Sequence, residues 1–193
     1  MKYDIILAGV GGQGILSIAF VIDNAALEEG WFFKQAEVHG MSQRGGAVQS
    51  HLRLAKAIIY SDLIPLGEAD MILSVEPLEA LRYFEYLKPG GAIVSSTTPY
   101  VNIPDYPAME EIFKEIRKTP VSLLIDSEKL AKEAGSVRAQ NMVMLGAASV
   151  FLPLKEESLK KYIQVLFERR GPQIVQTNLK AFNLGRQAAL SGR

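Results

Sequence analysis

Two glycine-bearing segments near the N-terminus carry the residue types best suited to binding a ligand. The first is Gly9-Val10-Gly11-Gly12-Gln13-Gly14, which follows a short apolar run and precedes a longer apolar run with helical spacing. This pattern predicts a strand, a glycine loop and a helix. Glycine permits close backbone approach, and the N–H groups at the start of a helix attract anions. The segment therefore predicts a site for a phosphate or a carboxylate.

The second segment is His39-Gly40-Met41-Ser42-Gln43-Arg44-Gly45-Gly46. It is too polar and too rich in glycine to be a core element. Gln43 and Arg44 are good hydrogen-bond donors, and an arginine among glycines is suited to gripping a phosphate or carboxylate with two parallel hydrogen bonds. The alternative interpretation is a solvated surface loop with no ligand.

Gly9, Gly11 and Gly14 also satisfy the G-x-G-x-x-G pattern of dinucleotide-binding proteins. That fingerprint requires an acidic residue about 20 positions later, at the end of the second strand. Glu37 is the candidate, in a polar stretch rather than cleanly at a strand end. Both a nicotinamide or flavin site and a tight turn without a ligand remain open from this pattern.

Other chemistries are poorly represented in the sequence. The chain contains no cysteine, which excludes disulfides, cysteine nucleophiles and thiolate ligands for an iron–sulfur cluster. His39, His51 and Glu37 are too few and too scattered to predict a zinc site. Asn141, at the start of an apolar helix, either faces the glycine loop or occupies an ordinary cap or surface position. We therefore expect a binding loop without a catalytic set of its own.

Length and composition set broad limits. The 193 residues predict a single domain over 1–193, with 48% hydrophobic and 22% charged residues as in an ordinary globular protein. The formal net charge of zero gives no broad basic surface for nucleic acid. With neither a bilayer-length apolar run nor a secretory signal in the sequence, we expect a cytoplasmic protein and no membrane contact.

Strands and helices alternate along the chain, which predicts an α/β fold: three layers, a mostly parallel Rossmann-like sheet, an inserted β-hairpin and a helical C-terminal third. The hairpin is expected to pair 47–54 with 57–60. The other strands are expected near 3–8, 31–36, 71–75, 92–96 and 120–125. The helices are expected near 14–29, 77–87, 127–134, 139–151, 155–169 and 172–190.

The two glycine-bearing segments together, followed by a strand ending near Arg53, resemble the gamma subunits of 2-oxoacid:ferredoxin oxidoreductases. Within that family, the chain is most similar to the small (beta) subunits that act on indolepyruvate. The resemblance covers essentially the whole chain, including the later Ala139-Gln140-Asn141-Met142 helix.

The resemblance implies a non-autonomous subunit, inactive alone, of a complex that oxidatively decarboxylates a 2-oxoacid, with indolepyruvate or another aryl pyruvate as the leading substrate, to an acyl-coenzyme A. Thiamine diphosphate and iron–sulfur clusters would lie on a large partner subunit, and ferredoxin would bind through the complex. The present chain would help to form the surface facing coenzyme A. The matching candidate residues are Gly11, Gly12, Gln13, Gly14, Ser42, Gln43 and Arg44.

Two other functions remain open at this level. The first is an independent NAD(P)-dependent reductase that uses the glycine loop and Glu37. The second is a structural binding module that keeps the fold without the enzyme partner. The sequence also leaves open whether the isolated chain forms a homodimer.

Overall fold

A computed structural model describes residues 1–39 and 45–192, except for the side chain of residue 39. Three of the candidate residues, Ser42, Gln43 and Arg44, lie outside the described residues. The strands are β1 (Lys2–Val10), β2 (Phe32–His39), β3 (Ala47–Ala55), β4 (Ala69–Ser74), β5 (Leu87–Ser96) and β6 (Val121–Ile125). The helices are α1 (Ile15–Glu28), α2 (Pro77–Arg82), α3 (Met109–Ile116), α4 (Ser127–Ala134), α5 (Gln140–Ala148), α6 (Glu156–Phe167) and α7 (Pro172–Ser191).

The described strands form one sheet in the order β2-β3-β1-β4-β5-β6. Strands β1, β4, β5 and β6 are parallel, whereas β3 runs antiparallel to both β1 and β2. The parallel strands are apolar along most of their length because helices cover both faces of that half of the sheet. The expected α/β architecture is confirmed, with a mixed sheet whose β1, β4, β5 and β6 are parallel.

Helices cover the two faces of the sheet unequally. Residues of α1, α4, α5, α6 and α7 form the larger core on one face, together with Ile5 and Leu7 of β1. Residues of α2 and α3 form a smaller core on the other face, around Ile6, Ile72 and Ile93. Since side chains alternate along a strand, β1 contributes to both cores. The result is a three-layer arrangement.

The hairpin pairs differently from the expectation. Its two arms are β2 and β3, with His39 opposite Val48 and Phe32 opposite Ala55, and the segment 57–60 is not a strand. The segment that follows β3 is held by hydrogen bonds to side chains instead of by pairing with a strand. Arg53 donates to the carbonyl oxygens of Ser61 and Leu63, and Ile64 N–H donates to His51 Nδ1 at 3.0 Å. These long-range contacts are not visible as a pattern in the sequence.

Helix positions are close to those expected, with two exceptions. The helix expected over 77–87 stops at Arg82, and β5 already begins at Leu87, where the backbone passes through a register shift against β4. Helix α3 was not expected; it is short, and its buried residues Ile112 and Ile116 make a single apolar stripe. None of the described helices is both long and apolar enough to cross a lipid bilayer.

Candidate functional site

The first glycine segment forms a tight loop between β1 and α1. Gln13 closes this loop in two ways: its N–H donates to Val10 O at 3.1 Å, and its side-chain Oε1 accepts from Val10 N–H at 2.8 Å. Gln13 therefore shapes the loop from within, in addition to any contact with a ligand. Gly12 stands at the tip and is exposed, with φ of 103°.

The two glycine segments meet in space. Gly11 N–H donates to Gly46 O at 2.8 Å, and Gly45 N–H donates to Gly11 O at 3.3 Å. The end of the second segment is thus bonded to the middle of the first through backbone atoms alone. The structure thus brings Gly45 and Gly46 beside Gly11 in the first glycine loop. The candidates Ser42, Gln43 and Arg44 lie outside the described residues.

Helix α1 begins at this loop, with Gly14 as its N-cap in a left-handed conformation. The N-cap of α1 makes no side-chain capping hydrogen bond. The first turn of a helix leaves N–H groups without helical partners and carries the positive end of the helix dipole. The loop therefore presents an environment that favours an anion.

One cleft, which we call the hairpin cleft, lies between the start of α1 and the β2–β3 hairpin and has a volume of about 420 Å³. Its walls are largely apolar, with Glu37 as the charged member. The lining residues are Val10, Gly11, Gly12, Gly14, Ile15, Leu16, Glu37 and Val48. Glu37 therefore lies in the same cleft as the glycine loop, as the dinucleotide-binding pattern in the sequence requires.

The position of Glu37 nevertheless differs from that in a dinucleotide fold. There, the strand carrying the acidic residue lies directly beside β1. Here β3 lies between β1 and β2, so Glu37 is displaced from β1 by two strand spacings, about 10 Å, rather than one. This geometry does not favour the nicotinamide alternative.

A second cleft of about 460 Å³, the central cleft, lies on the other side of Gly12. It contains the exposed guanidinium-bearing side chain of Arg138, for which the described part of the chain provides no ion-pair partner. The lining residues are Gly12, Gln13, Val75, Thr98, Pro99, Tyr100, Val137, Arg138, Gln140 and Asn141. A cation beside glycine backbone and amide groups is suited to a phosphate.

The central cleft lies where the chain changes from one face of the sheet to the other. After β1 the chain enters α1 on the face of the larger core, and after the neighbouring β4 it enters α2 on the opposite face. In open α/β sheets, ligands bind in the crevice that such a switch leaves at the carboxyl ends of the strands. Gly12 follows β1 and Val75 follows β4, and both line this cleft.

Asn141 holds the two sides of the site together: it is 7% exposed, and its Nδ2 donates to Gly14 O at 3.3 Å. Of the two positions that the sequence allowed for Asn141, the structure supports the one that faces the glycine loop. Arg138 and Tyr100 were not singled out from the sequence. Each lies in an ordinary polar or proline-containing stretch, and only the fold brings them to the cleft.

Within the described residues, no group of three or more histidine and acidic side chains is placed to hold a metal ion. His51 is buried and accepts a hydrogen bond from Ile64 N–H, and burial lowers the pKa of its imidazole. It is thus a neutral structural acceptor, distant in sequence and role from the glycine loop.

Comparison with known proteins gives a consistent result. The profile of the pyruvate ferredoxin/flavodoxin oxidoreductase family matches residues 4–188. The chain is similar to indolepyruvate oxidoreductase subunit IorB of Pyrococcus horikoshii, with 41% identity over 97% of this chain and 96% of the relative. It is also similar to the protein of the same name from Thermococcus kodakarensis, with 39% identity over 97% and 96% of the two chains.

Two solved structures share the fold over 98% of this chain. One is a 2-oxoglutarate:ferredoxin oxidoreductase from Magnetococcus marinus with 2-oxoglutarate, coenzyme A and succinyl-CoA bound, at 26% identity and a TM-score of 0.78; the present chain spans 31% of that chain. The other is the gamma subunit of a keto/oxoacid ferredoxin oxidoreductase from Geobacter sulfurreducens, at 25% identity, a TM-score of 0.69 and 99% coverage of that chain. The chain therefore belongs to the pyruvate ferredoxin/flavodoxin oxidoreductase family, as a gamma-type subunit.

Proposed function

We propose that this chain is the small subunit of a 2-oxoacid:ferredoxin oxidoreductase that acts on indolepyruvate or a related aryl pyruvate. The choice of 2-oxoacid is supported by the two relatives of about 40% identity that carry the indolepyruvate name. In this proposal the chain does not perform the chemistry itself. It completes the complex and forms the surface against which coenzyme A binds.

The observation that carries the proposal is the backbone junction between the two glycine segments. The bonds of Gly11 to Gly45 and Gly46 place an anion-favouring helix start between two clefts, one largely apolar and one containing Arg138. Coenzyme A combines phosphate groups with a long, mostly uncharged arm, so it needs both kinds of surface. A site built in this way matches a ligand of that class.

We assign the phosphates to the central cleft. Arg138 offers a planar guanidinium there, and the exposed Gly12 brings glycine backbone to the same cleft. In the hairpin cleft, Val10, Ile15 and Val48 suit an uncharged part of the ligand. The undescribed Ser42, Gln43 and Arg44 remain candidates of the same site on the grounds of their sequence.

The residues of this chain do not fit the redox groups of such enzymes. An iron–sulfur cluster takes cysteine thiolates as ligands, and the chain contains none. We therefore place the clusters on the large partner subunit. We place thiamine diphosphate there as well, as the resemblance to the family implies, and ferredoxin is expected to reach the complex through that subunit. The purified chain should show no visible absorption band and no 2-oxoacid-dependent dye reduction.

The test of the coenzyme A assignment is steady-state kinetics of the complex reconstituted with its large subunit. Arg138→Ala should raise the KM for coenzyme A by about ten- to a hundredfold, because one charge-assisted contact is lost. Arg169→Ala is the matched control, since Arg169 is exposed and lines neither cleft. An unchanged KM for coenzyme A in Arg138→Ala, with full complex formation, would contradict the assignment.

The substrate assignment needs a separate measurement. The reconstituted complex should show a higher kcat/KM with indolepyruvate than with pyruvate or 2-oxoglutarate. A preference for 2-oxoglutarate would instead associate the chain with the more distant relatives, such as the 2-oxoglutarate synthase subunit KorC of Methanothermobacter thermautotrophicus at 28% identity over 100% of this chain and 97% of the relative.

A further inference from the structure

The loop between β5 and α3 forms one wall of the central cleft, through Thr98, Pro99 and Tyr100. The same loop reaches the second glycine segment, because Asn102 Nδ2 donates to Gly45 O at 2.7 Å. The hydroxyl of Tyr100 is also near Gly45, 3.9 Å from the position that a Cβ on this glycine would occupy. Since Gly45 is also bonded to Gly11, the β5–α3 loop, the end of the second glycine segment and the β1–α1 loop are connected to one another around the central cleft.

A single buried carboxylate anchors this wall. Glu76, which is 1% exposed, follows β4 closely and is the N-cap of α2. Its Oε2 accepts from Glu79 N–H at 2.8 Å. Its Oε1 accepts from Tyr100 N–H at 3.2 Å and also from the hydroxyl of Tyr106. One side chain thus connects the start of α2 with two points of the β5–α3 loop.

The surroundings of Glu76 are built to hold it in this position. Ser74 Oγ donates to Glu76 O at 2.5 Å and accepts from Glu76 N–H at 3.3 Å, which fixes the backbone of this residue. Burial and the neighbouring carboxylate raise the pKa of the Tyr106 phenol, so Tyr106 remains a proton donor. A buried carboxylate is tolerated when several donors replace its water, and here three donors do so.

We propose that Glu76 is a positioning residue of the coenzyme A site: it holds the β5–α3 loop so that Tyr100 forms the wall of the central cleft and Asn102 secures that wall to Gly45. This inference rests on the proposed function of the cleft. Glu76 does not touch the ligand in this proposal. It acts through the backbone of Tyr100 and the hydroxyl of Tyr106.

The test uses Glu76→Gln in the reconstituted complex. A glutamine has the same size, but it cannot accept from Glu79 N–H and from the two tyrosines at once, because one of its two polar atoms is a donor. The KM for coenzyme A should rise about tenfold, while kcat and the KM for the 2-oxoacid stay within about twofold. Calorimetric titration of the complex with coenzyme A should show the same loss of affinity.

Glu79→Gln is the control for a purely structural effect. Glu79 is also a buried carboxylate of α2, but its side chain pairs with Arg82 rather than with the loop. Whatever its effect on the melting temperature, Glu79→Gln should leave the KM for coenzyme A unchanged. If Glu76→Gln does the same, Glu76 is merely a structural residue and the inference is wrong.

Asn102→Ala is the second variant, and it keeps the test decisive if Glu76→Gln does not fold. Asn102 is exposed, so its removal leaves no buried side chain without its partner. Its loss should raise the KM for coenzyme A by about three- to tenfold, since a neutral hydrogen bond contributes less than a charged one. A KM unchanged in Asn102→Ala would overturn the inference in that case.

The variant Arg138→Ala distinguishes a failure of the proposed coenzyme A site from a failure of the role proposed for Glu76. If Arg138→Ala raises the KM for coenzyme A and the loop variants do not, the site is right and the role of Glu76 is wrong. If none of these variants changes the KM for coenzyme A, the proposed coenzyme A site itself is wrong, and the inference falls with it.

Discussion

Asn141 at the start of α5 donates a hydrogen bond from Nδ2 to the carbonyl oxygen of Gly14, a residue 127 positions earlier in the chain. The same side chain accepts from Met142 N–H through Oδ1 at 3.0 Å. Asn141 is therefore held in place by its own helix while it holds the start of α1. It connects the glycine loop to the helix that follows Arg138, and thus links two of the elements that line the central cleft.

Gly14 should be a structural position rather than a ligand contact that can be varied freely. Its φ is 80°, and a Cβ built on it overlaps with Asn141 Nδ2. Gly14→Ala should therefore lower the free energy of unfolding by about 2 kcal/mol, through backbone strain and displacement of Asn141. Chemical denaturation of the full chain measures this change.

The variant Asn141→Ala provides the matching double-mutant cycle. The Cβ of Asn141 is 3.6 Å from the position that a Cβ on Gly14 would occupy, an ordinary contact, so the overlap disappears when the amide is removed. The double variant should be more stable than the sum of the single effects by about 1 kcal/mol. Additive effects would show that the amide is not the obstacle.

Gly12, in contrast to Gly14, should be more important for ligand binding than for stability. Its φ is 103°, but among the described residues no atom other than those of its two chain neighbours lies within 4 Å of the position of its Cβ, and Gly12 borders both clefts. Gly12→Ala should cost about 1 kcal/mol of stability from backbone strain. Because Gly12 lines both clefts, an added methyl group should raise the KM for coenzyme A by at least about tenfold.

Gly67→Ala controls for the strain. Gly67 also has a positive φ, of 73°, its Cβ position has no neighbour within 4 Å among the described residues beyond its own chain neighbours, and it lines neither cleft. The two variants should lose similar stability, whereas only Gly12→Ala should affect the use of coenzyme A. If their kinetics are also alike, the glycine loop does not contact the ligand.

Local patterns in the sequence predicted much of the fold. The strand, glycine loop and helix at the N-terminus follow from hydrophobic spacing, and α7 begins at Pro172, a residue suited to the first position of a helix. The pairing of the hairpin was predicted wrongly because it depends on tertiary contacts. Nothing local shows that Arg53 satisfies the carbonyl groups after β3, which leaves that segment without a need for strand partners.

The same distinction applies to the site. The glycine motifs and the facing position of Asn141 could be anticipated because glycine and a polar residue within an apolar helix have few roles. The role of Glu76 at the site could not be anticipated from the sequence, because a glutamate before a proline and a helix is an ordinary N-cap. Its second role depends on Tyr100, 24 residues later, and on Tyr106. Arg138 becomes a candidate only because the fold leaves it without an acidic partner among the described residues.

The contact between α5 and α7 should tolerate no side chain at its centre. A Cβ on Gly146 overlaps with the backbone carbonyl of Phe182, and a Cβ on Gly185 overlaps with that of Val143. Helix propensity alone would make Gly146→Ala stabilising by up to about 1 kcal/mol. Since a backbone carbonyl cannot rotate away, we expect instead that Gly146→Ala lowers the free energy of unfolding by about 3–5 kcal/mol. Chemical denaturation measures whether the variant gains or loses stability.

Asp23 is a buried carboxyl group that takes no part in either cleft. It lies in α1 with 5% exposure, and its Oδ1 is buried without a hydrogen-bond partner. Burial raises the pKa of this carboxyl from 3.8 to about 8. The folded protein therefore keeps a proton near neutral pH that the unfolded chain has already released.

The consequence is a stability that decreases as pH rises. Between about pH 4 and pH 8 the unfolded state binds fewer protons at Asp23 than the folded state, so the free energy of unfolding falls across this window. The stability difference between Asp23→Asn and the unaltered chain should grow in favour of the variant by about 1–3 kcal/mol from pH 5 to pH 8.

The comparison at each pH removes contributions common to both proteins, such as that of His51. A pH-independent difference for Asp23→Asn would mean that Asp23 is ionised in the folded protein, and that water or a rearranged partner reaches its carboxylate.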